Sequence, residues 1–265
     1  MKASIILPTY NESGNIVDLI RAIVGIMPGG FDYEIIVVDD NSPDRTHQLV
    51  RDTFSGEARV LAVLRTADRG LAKSIRAGLE RSSGDFVIVM DTDFTHNPRE
   101  IPRMLHLSQV ANVVVGSRFA PGGSMEDVPH YLCSLAYNWL IRLVLRTQIQ
   151  DNLSGFLALD RTALERLPAD AIFFGYGDYC FRLLHYAQRA RLTVLEMPVQ
   201  YQARTKGQSK SVFWKLLFSY TRALVEVRAA IRKQRRKRLP TGLKRGGEIT
   251  VQASRVQPPP EQGKE

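Results

Sequence analysis

Apolar runs that stop on polar clusters recur along the first half of the chain. They alternate with stretches in which apolar residues return every three or four positions. Ser4 to Leu7, Glu34 to Val38, Val60 to Leu64, Phe86 to Met90 and Asn112 to Val115 have the continuous, β-branched character of strands covered on both faces. Pro8 is expected to stop the first of them. Between the strands, Ile16, Leu19, Ile20, Ile23 and Met27 fall at helical spacing. Further helices are predicted near Thr46 to Thr53, over Gly70 to Arg81 and from Pro98 to about Ser108. Strand and helix alternate with connections long enough for crossovers, which predicts a Rossmann-like α/β fold with a doubly wound, mostly parallel sheet.

Ligands of such sheets bind beyond the carboxyl ends of the strands. This chain concentrates acids there: Asp39 and Asp40 follow the second strand, Asp91 and Asp93 the fourth. Two acids one residue apart at a buried edge repel each other and lose solvation unless a cation lies between them. Asp91-Thr92-Asp93 therefore reads as a site for a divalent metal carrying a diphosphate, the alternative being two solvated loop acids.

The second half is less regular. Pro121 to Ser124 has the composition of a mobile loop. Tyr131 to Leu145 is a strongly apolar helix interrupted by Asn138 and Arg142, either a core helix or the wall of an apolar acceptor groove. A polar turn over Asp151 to Phe156, a helix over Asp178 to Gln188 and an edge strand over Thr193 to Val199 follow. Arg204 to Lys210 gathers cations and hydroxyls around Gly207 and suits a loop folded over phosphates. From Val212 to about Ile231 an amphipathic helix is expected, lying on a bilayer surface or docked on the domain. The predicted organisation is a catalytic-type domain over 1–210, an amphipathic helix with a polybasic end over 211–238, and a disordered tail over 239–265.

Charge sharpens the picture of the C-terminal part. The formal net charge is +9, yet Arg232 to Glu265 holds ten Lys and Arg against three Asp and Glu, so most of the basicity is a tail. Its Arg232 to Arg238 cluster suits anionic lipid head groups. The cluster has no aromatic residue for stacking bases, so nucleic acid is not an expected partner. Two cysteines are too few for a disulfide framework. No stretch has the roughly 20 uncharged apolar residues that span a bilayer. The expected location is the cytoplasm or, peripherally, the cytoplasmic face of a membrane.

Six motifs in order resemble those of family 2 glycosyltransferases, and within them the dolichyl-phosphate (polyprenyl-phosphate) mannosyltransferases. They are Pro8-Thr9-Tyr10-Asn11-Glu12, Val38 to Thr46, Asp91-Thr92-Asp93, Gly116-Ser117-Arg118-Phe119, Ser154-Gly155-Phe156 and Arg204 to Lys210. The resemblance implies a GT-A fold, a nucleotide-sugar donor, normally GDP-mannose, a polyprenyl phosphate acceptor, and Mg2+ or Mn2+ as cofactor. UDP-glucose or another donor, or a non-lipid acceptor, is the alternative. A nucleotide- or nucleic-acid-binding module without catalysis is a remoter one. Carried onto this chain, the resemblance implies that Pro8, Tyr10, Glu12 and Asp40 hold the base and ribose, with Asp39 and Thr92 in the same nucleotide-sugar site. Asp91 and Asp93 hold the metal, with Thr95 where the family often has Gln. Arg118 meets the acceptor phosphate, and Arg204, Lys206 and Lys210 close over the phosphates. Asp93 and Arg118 are the candidate catalytic residues. An arginine that the family carries near Pro129 is replaced here by His130-Tyr131-Leu132-Cys133, and Gly175 to Tyr179 also departs from the pattern. The implied partners are a nucleotide sugar, polyprenyl phosphate, a membrane surface and a membrane-anchoring partner.

Overall fold

The computed structural model describes residues 1–29, 31–202 and 220–229. The predicted cation loop with Arg204, Lys206 and Lys210 lies outside the described residues, as do the polybasic cluster and the tail.

The alternating runs form β1 (Lys2–Thr9), α1 (Ile16–Ile26), β2 (Asp32–Asp39), α2 (Thr46–Thr53), β3 (Val60–Leu64), α3 (Leu71–Arg81) and β4 (Phe86–Val89). A short 3-10 turn at Pro98–Glu100 leads into α4 (Ile101–Leu107), then β5 (Val113–Ser117). These strands, with β7 (Leu157–Asp160) and β8 (Val194–Pro198), make one seven-stranded sheet in the order β3-β2-β1-β4-β7-β5-β8. β1, β2, β3 and β4 run parallel, β8 runs parallel to β5, and β7 is antiparallel to both of its neighbours. β8 lies at the sheet edge, as its Pro198 predicts.

Side chains alternate across the sheet and bury both faces. Ile5, Leu7, Ile35, Val37 and Ile88 pack with α1, α2 and α4 on one side. Ile6, Ile36, Val38, Val87 and Val89 pack with α3 and α8 (Tyr179–Arg189) on the other. This two-faced burial is why the strands read as unbroken apolar runs rather than alternating ones.

Pro8 does not end β1, which continues to Thr9. The reason is local. β4 pairs only with Ala3 to Ile6, and the Ile6 carbonyl accepts the last bond from the Met90 N–H at 3.3 Å. Backbone groups alternate sides, so the donor that Pro8 lacks would face β4 where β4 no longer pairs. β1 and β2 thus outrun β4, and the step between them opens a cleft above Asp91 to Asp93.

The Pro121 to Ser124 loop is tighter than its composition predicts. Gly123 N–H bonds the Ala120 carbonyl at 2.8 Å, and β6 (Ser124–Met125) pairs in parallel with β9 (Gln200–Tyr201). Neither two-residue strand carries a periodic signal. The same holds for the short helices α6 (Arg161–Glu165) and α7 (Ala169–Ile172).

α5 (Val128–Leu145) is capped by Asp127, whose side chain accepts from the His130 N–H at 3.0 Å. It is apolar on both of its sides. Ser134, Tyr137, Asn138 and Ile141 face inward, while Leu132, Leu135, Trp139 and Leu143 are exposed, Trp139 by 64 %. Asn138 holds the inner face, its Oδ1 accepting from the Asn152 N–H at 2.6 Å. The expectation of a core helix is therefore corrected on its outer side: Tyr137, Ile141 and Leu145 pack inward beside Ser134 and Asn138, while a second apolar stripe points out. Residues 220–229 are helical, bury Ala223, Leu224 and Val227, and place Thr221 Oγ1 3.3 Å from the Tyr137 hydroxyl on α5. Over this part of the predicted amphipathic segment, docking on the domain is the arrangement found.

Gly84 approaches the start of β1 so closely that a Cβ there would lie 2.7 Å from the Ser4 nitrogen. Backbone cannot yield as a side chain can. We expect Gly84→Ala to cost about 1–3 kcal/mol by overpacking, seen as a lower urea midpoint with an unchanged m-value.

Candidate active site

The loops at the carboxyl edge are wired together before any ligand is considered. After β1, the backbone N–H groups of Asn11, Glu12 and Ser13 donate to Ser42 Oγ at 2.9 Å, Thr46 Oγ1 at 3.0 Å and Asp44 Oδ2 at 2.9 Å. The Asn41 to Thr46 turn achieves this with left-handed residues at Asn41 and Arg45, φ 57° and 59°. Thr46 also donates to Asp44 Oδ1 through its backbone N–H and its hydroxyl, at 3.0 and 2.6 Å. The hydroxyl and Asp groups that follow Asp40 therefore shape the β1 loop.

A cavity of about 520 Å³ opens on this edge, within the range of small-molecule sites. Pro8, Tyr10, Glu12, Asp40, Asp91, Thr92 and Asp93 all line it, so seven of the residues singled out in the sequence come together. On the β2 and β3 side its wall continues with Arg69, Gly70 and Ser74; on the β7 side with Gly155, Tyr176, Tyr179 and Cys180. The acids at the β4 end lie between these two arms.

Three predicted residues are placed differently. Asp39 is buried and does not line the cavity: its carboxylate accepts from the Ser42 N–H at 3.0 Å, from Thr9 Oγ1 at 3.1 Å and from the Ser42 hydroxyl. Its neighbour Asp40 faces the cavity, paired with the Arg65 guanidinium and accepting from the Gly70 N–H at 2.8 Å. Thr95 is turned onto Asp93, to whose Oδ1 it donates through its N–H at 3.1 Å and its hydroxyl at 2.7 Å. Phe94 adopts a left-handed φ of 63° to make that turn, a strain of about 1–3 kcal/mol that is held by its packing against the core.

Arg118, expected at an acceptor phosphate, is instead buried in a two-pronged pair with Asp151. Nε and Nη2 donate to the two carboxylate oxygens at 2.8 Å each, and the Arg118 N–H adds a third bond at 3.0 Å. Burial alone would lower the guanidinium pKa, but the Asp151 charge and hydrogen bonds raise it, so the guanidinium stays charged. Tyr201 lies under the guanidinium at 4.9 Å, and the Asp151 N–H is held by Glu196 Oε1 at 2.9 Å.

Sequence reading missed parts of the wall on both arms of the cavity. Arg69 stands over the Tyr10 ring at 4.1 Å, and nothing in a lone Arg before Gly70 marks it. His130 lines the cavity where the sequence departs from the family pattern. The 172–178 loop is held by Arg182, which pairs with Asp178 and bonds the carbonyls of Ile172 at 3.1 Å and Phe174 at 2.7 Å. Gly175 has φ +77°, and a Cβ there would meet the Asp178 carboxylate at 2.7 Å.

Chemically, the site offers charge management rather than a nucleophile. Burial pushes the Cys180 thiol up to about 12 and the Tyr179 phenol well above its ordinary value, so both stay protonated near neutrality. Among the described residues no three acids, histidines or cysteines converge on one metal. Two carboxylates at a cleft mouth match a hard cation that completes its shell with water and phosphate oxygens.

A parallel half-sheet of order 3-2-1-4, an antiparallel strand beside it and paired acids at the β4 end place the molecule in the GT-A class of folds. The chain belongs to glycosyl transferase family 2, whose family model matches residues 4–168. It is 34 % identical over 227 residues to a dolichol-phosphate mannosyltransferase of Pyrococcus furiosus, covering 84 % of this chain and 62 % of that protein. The chain thus spans less than two thirds of that relative. An undecaprenyl-phosphate mannosyltransferase of Micrococcus luteus is 31 % identical over 220 residues, with 79 % of this chain and 87 % of the relative covered. Among solved structures, glucosyl-3-phosphoglycerate synthase from Mycobacterium tuberculosis, in complex with Mn2+, UDP-glucose and phosphoglyceric acid, superposes with a TM-score of 0.65. That match covers 86 % of this chain and 80 % of the other at 20 % identity, a likeness of fold.

Removing Arg118 alone leaves the fully buried Asp151 carboxyl without its ion-pair partner. We expect Arg118→Met to cost about 3–5 kcal/mol and Arg118→Met with Asp151→Leu to recover much of it, measured by equilibrium unfolding.

Proposed function

We propose that this protein transfers mannose from GDP-mannose to a polyprenyl phosphate, giving the β-linked polyprenyl-phosphate sugar. The observation that carries this reading is the placement of Asp91 and Asp93 at the β4 end, between the two arms of one cavity. Adjacent strands are about 4.8 Å apart, so a diphosphate at β4 leaves its nucleoside room over β1, β2 and the loop after β3. Tyr10, Glu12, Asp40 and Arg69 line that arm. The sugar then lies toward Gly155 and Tyr179, at the acceptor side. The names of the relatives favour mannose and a polyprenyl phosphate.

The proposed mechanism needs no protein base. A phosphate monoester has a second pKa of about 6, so an acceptor phosphate near neutrality is already a nucleophile. Asp91 and Asp93 would hold Mg2+ or Mn2+, which when bound neutralises charge on the departing diphosphate. Thr95, through its two bonds to Asp93, holds that carboxylate toward the cavity. The Arg118–Asp151 pair would serve the site by fixing the turn that carries Leu153 and Gly155 into the wall, and Arg204, Lys206 and Lys210 are proposed to cover the phosphates. Attack in line from the face opposite the leaving group inverts the anomeric centre.

An acceptor embedded in a bilayer requires a surface that meets lipid. No helix among the described residues is long and apolar enough to cross a membrane. The exposed stripe of α5, with Arg142 and Arg146 on its outer side, has the apolar face and flanking cations of a helix that lies in the head-group region. We assign it to the peripheral membrane contact.

With radiolabelled GDP-mannose, polyprenyl phosphate and Mg2+ or Mn2+, label should enter the organic phase; UDP-glucose should give none. Extraction from UDP-glucose alone would replace the donor assignment, and no extraction from either would remove the lipid acceptor. Asp93→Ala should lower kcat at least about 10²-fold without loss of fold. For the membrane contact, Trp139→Ser with Leu143→Ser should abolish co-sedimentation with anionic liposomes while leaving GDP binding unchanged; intact sedimentation would defeat the assignment.

A further inference from the structure

His96 is buried against the acid pair and no motif accounts for it. Its Nδ1 accepts from the Asp91 backbone N–H at 2.9 Å, which puts the ring proton of the neutral imidazole on Nε2. Nε2 is buried and has no hydrogen-bond partner among the described residues. It lies 3.7 Å from Asp91 Oδ2, too far for a hydrogen bond and close enough to become one. A buried donor without an acceptor costs about 1–3 kcal/mol, so this arrangement is paid for by something else.

The ring itself cannot move to find a partner. Phe156 stacks on it at 4.9 Å and 10°, and Tyr201 meets it edge-on at 4.7 Å. Tyr201 is fixed in turn through Ser154, which lies 2.9 Å from its hydroxyl and bonds the Gly116 carbonyl at 2.6 Å. Asp91, by contrast, has a side chain 48 % exposed at the cavity mouth. Residue 155 beside it is glycine, and a Cβ there would touch both Asp91 Oδ1 and His96 Cε1 at 3.7 Å. Of the two groups, the carboxylate is the one that packing does not enclose.

We propose that His96 is a positioning residue for Asp91. When a divalent cation engages the carboxylate, Oδ2 closes on the waiting Nε2–H, and the imidazole fixes the orientation in which Asp91 holds the cation. The donor aimed at the carboxylate is thereby satisfied only in the loaded site, which makes the cation bind more tightly. An outer partner of this kind typically contributes 10–100-fold in metal affinity. The inference rests on the reading that Asp91 and Asp93 hold a divalent cation.

Two side chains separate the roles of the ring nitrogens. In His96→Asn the side-chain oxygen replaces Nδ1 and keeps the bond from the Asp91 N–H, but the donor at the Nε2 position is gone. In His96→Gln the amide nitrogen replaces that donor and the Nδ1 acceptor is lost. Mn2+ binding in the presence of GDP is read by electron paramagnetic resonance, with the thermal midpoint of each protein alongside. We expect His96→Asn to keep its midpoint and lose about 10–100-fold in Mn2+ affinity, and His96→Gln to lose midpoint while retaining more affinity than Asn. Equal Mn2+ affinity in His96→Asn and wild type would overturn the proposal alone. A wild type that takes up no Mn2+ with GDP would overturn the metal reading and this proposal with it. Should His96→Asn fail to fold, the wild-type protein still decides: the His96 Nε2–H proton resonance should move downfield on adding Mg2+ with GDP, and a resonance that stays put refutes the closure.

Discussion

Four carboxylates crowd one edge of the sheet, and the structure depends on giving each a different set of partners. Left alike, Asp39, Asp40, Asp91 and Asp93 would repel at an edge where solvent is scarce. Asp39 is spent inward on Ser42 and Thr9 and closes the β2 turn. Asp40 is matched by Arg65 and the Gly70 N–H, which ties β2 to the loop after β3. Asp93 is steadied by Thr95. Asp91 stays at the cavity mouth with a buried imidazole behind it. The acids are thus sorted into those that build the edge and those that face the cavity.

That sorting depends on the step in the sheet. Because β4 stops pairing at Ile6 while β1 and β2 continue, the Asp91 to Asp93 turn is set back from the neighbouring loops. A left-handed Phe94 and the latch from Ser42, Asp44 and Thr46 to the β1 loop hold the two levels apart. On the far side, the Arg118–Asp151 pair does comparable work in a drier place. Its cost in desolvation is offset by three bonds and by the Glu196 contacts, and it braces the turn that walls the cavity. Stability and site geometry are carried by the same polar groups, so substitutions at Arg118 or Asp39 should not be read as losses of ligand contacts alone.

α5 extends this logic to the surface. A helix normally hides its apolar residues, yet α5 hides only Tyr137, Ile141 and Leu145, beside Ser134 and Asn138, and leaves Trp139 and Leu143 facing out. Exposed apolar stripes of this length mark interaction surfaces, and the peripheral membrane contact proposed above would cover this one.

The parallel half of the fold was legible in the chain because strands buried on both faces leave unbroken apolar runs, and helices between them keep a 3.6-residue period. The acids at strand ends and the motif order pointed to the cavity before its shape was known, and seven of those residues line it. β7 was not legible as a strand, since antiparallel insertion between β4 and β5 leaves no local mark. Nor does residue type reveal direction: Asp39 and Asp40 are identical letters that face opposite ways because successive side chains alternate across a strand. Arg118 looked like a phosphate ligand until its partner, 33 positions away, was brought beside it. Sequence determined the architecture and the sheet edge that carries the site, because periodicity and strand-end chemistry are local. Which acid faces the cavity, which cation is already paired and which face of α5 meets solvent were decided by tertiary packing, because each depends on groups distant in the chain.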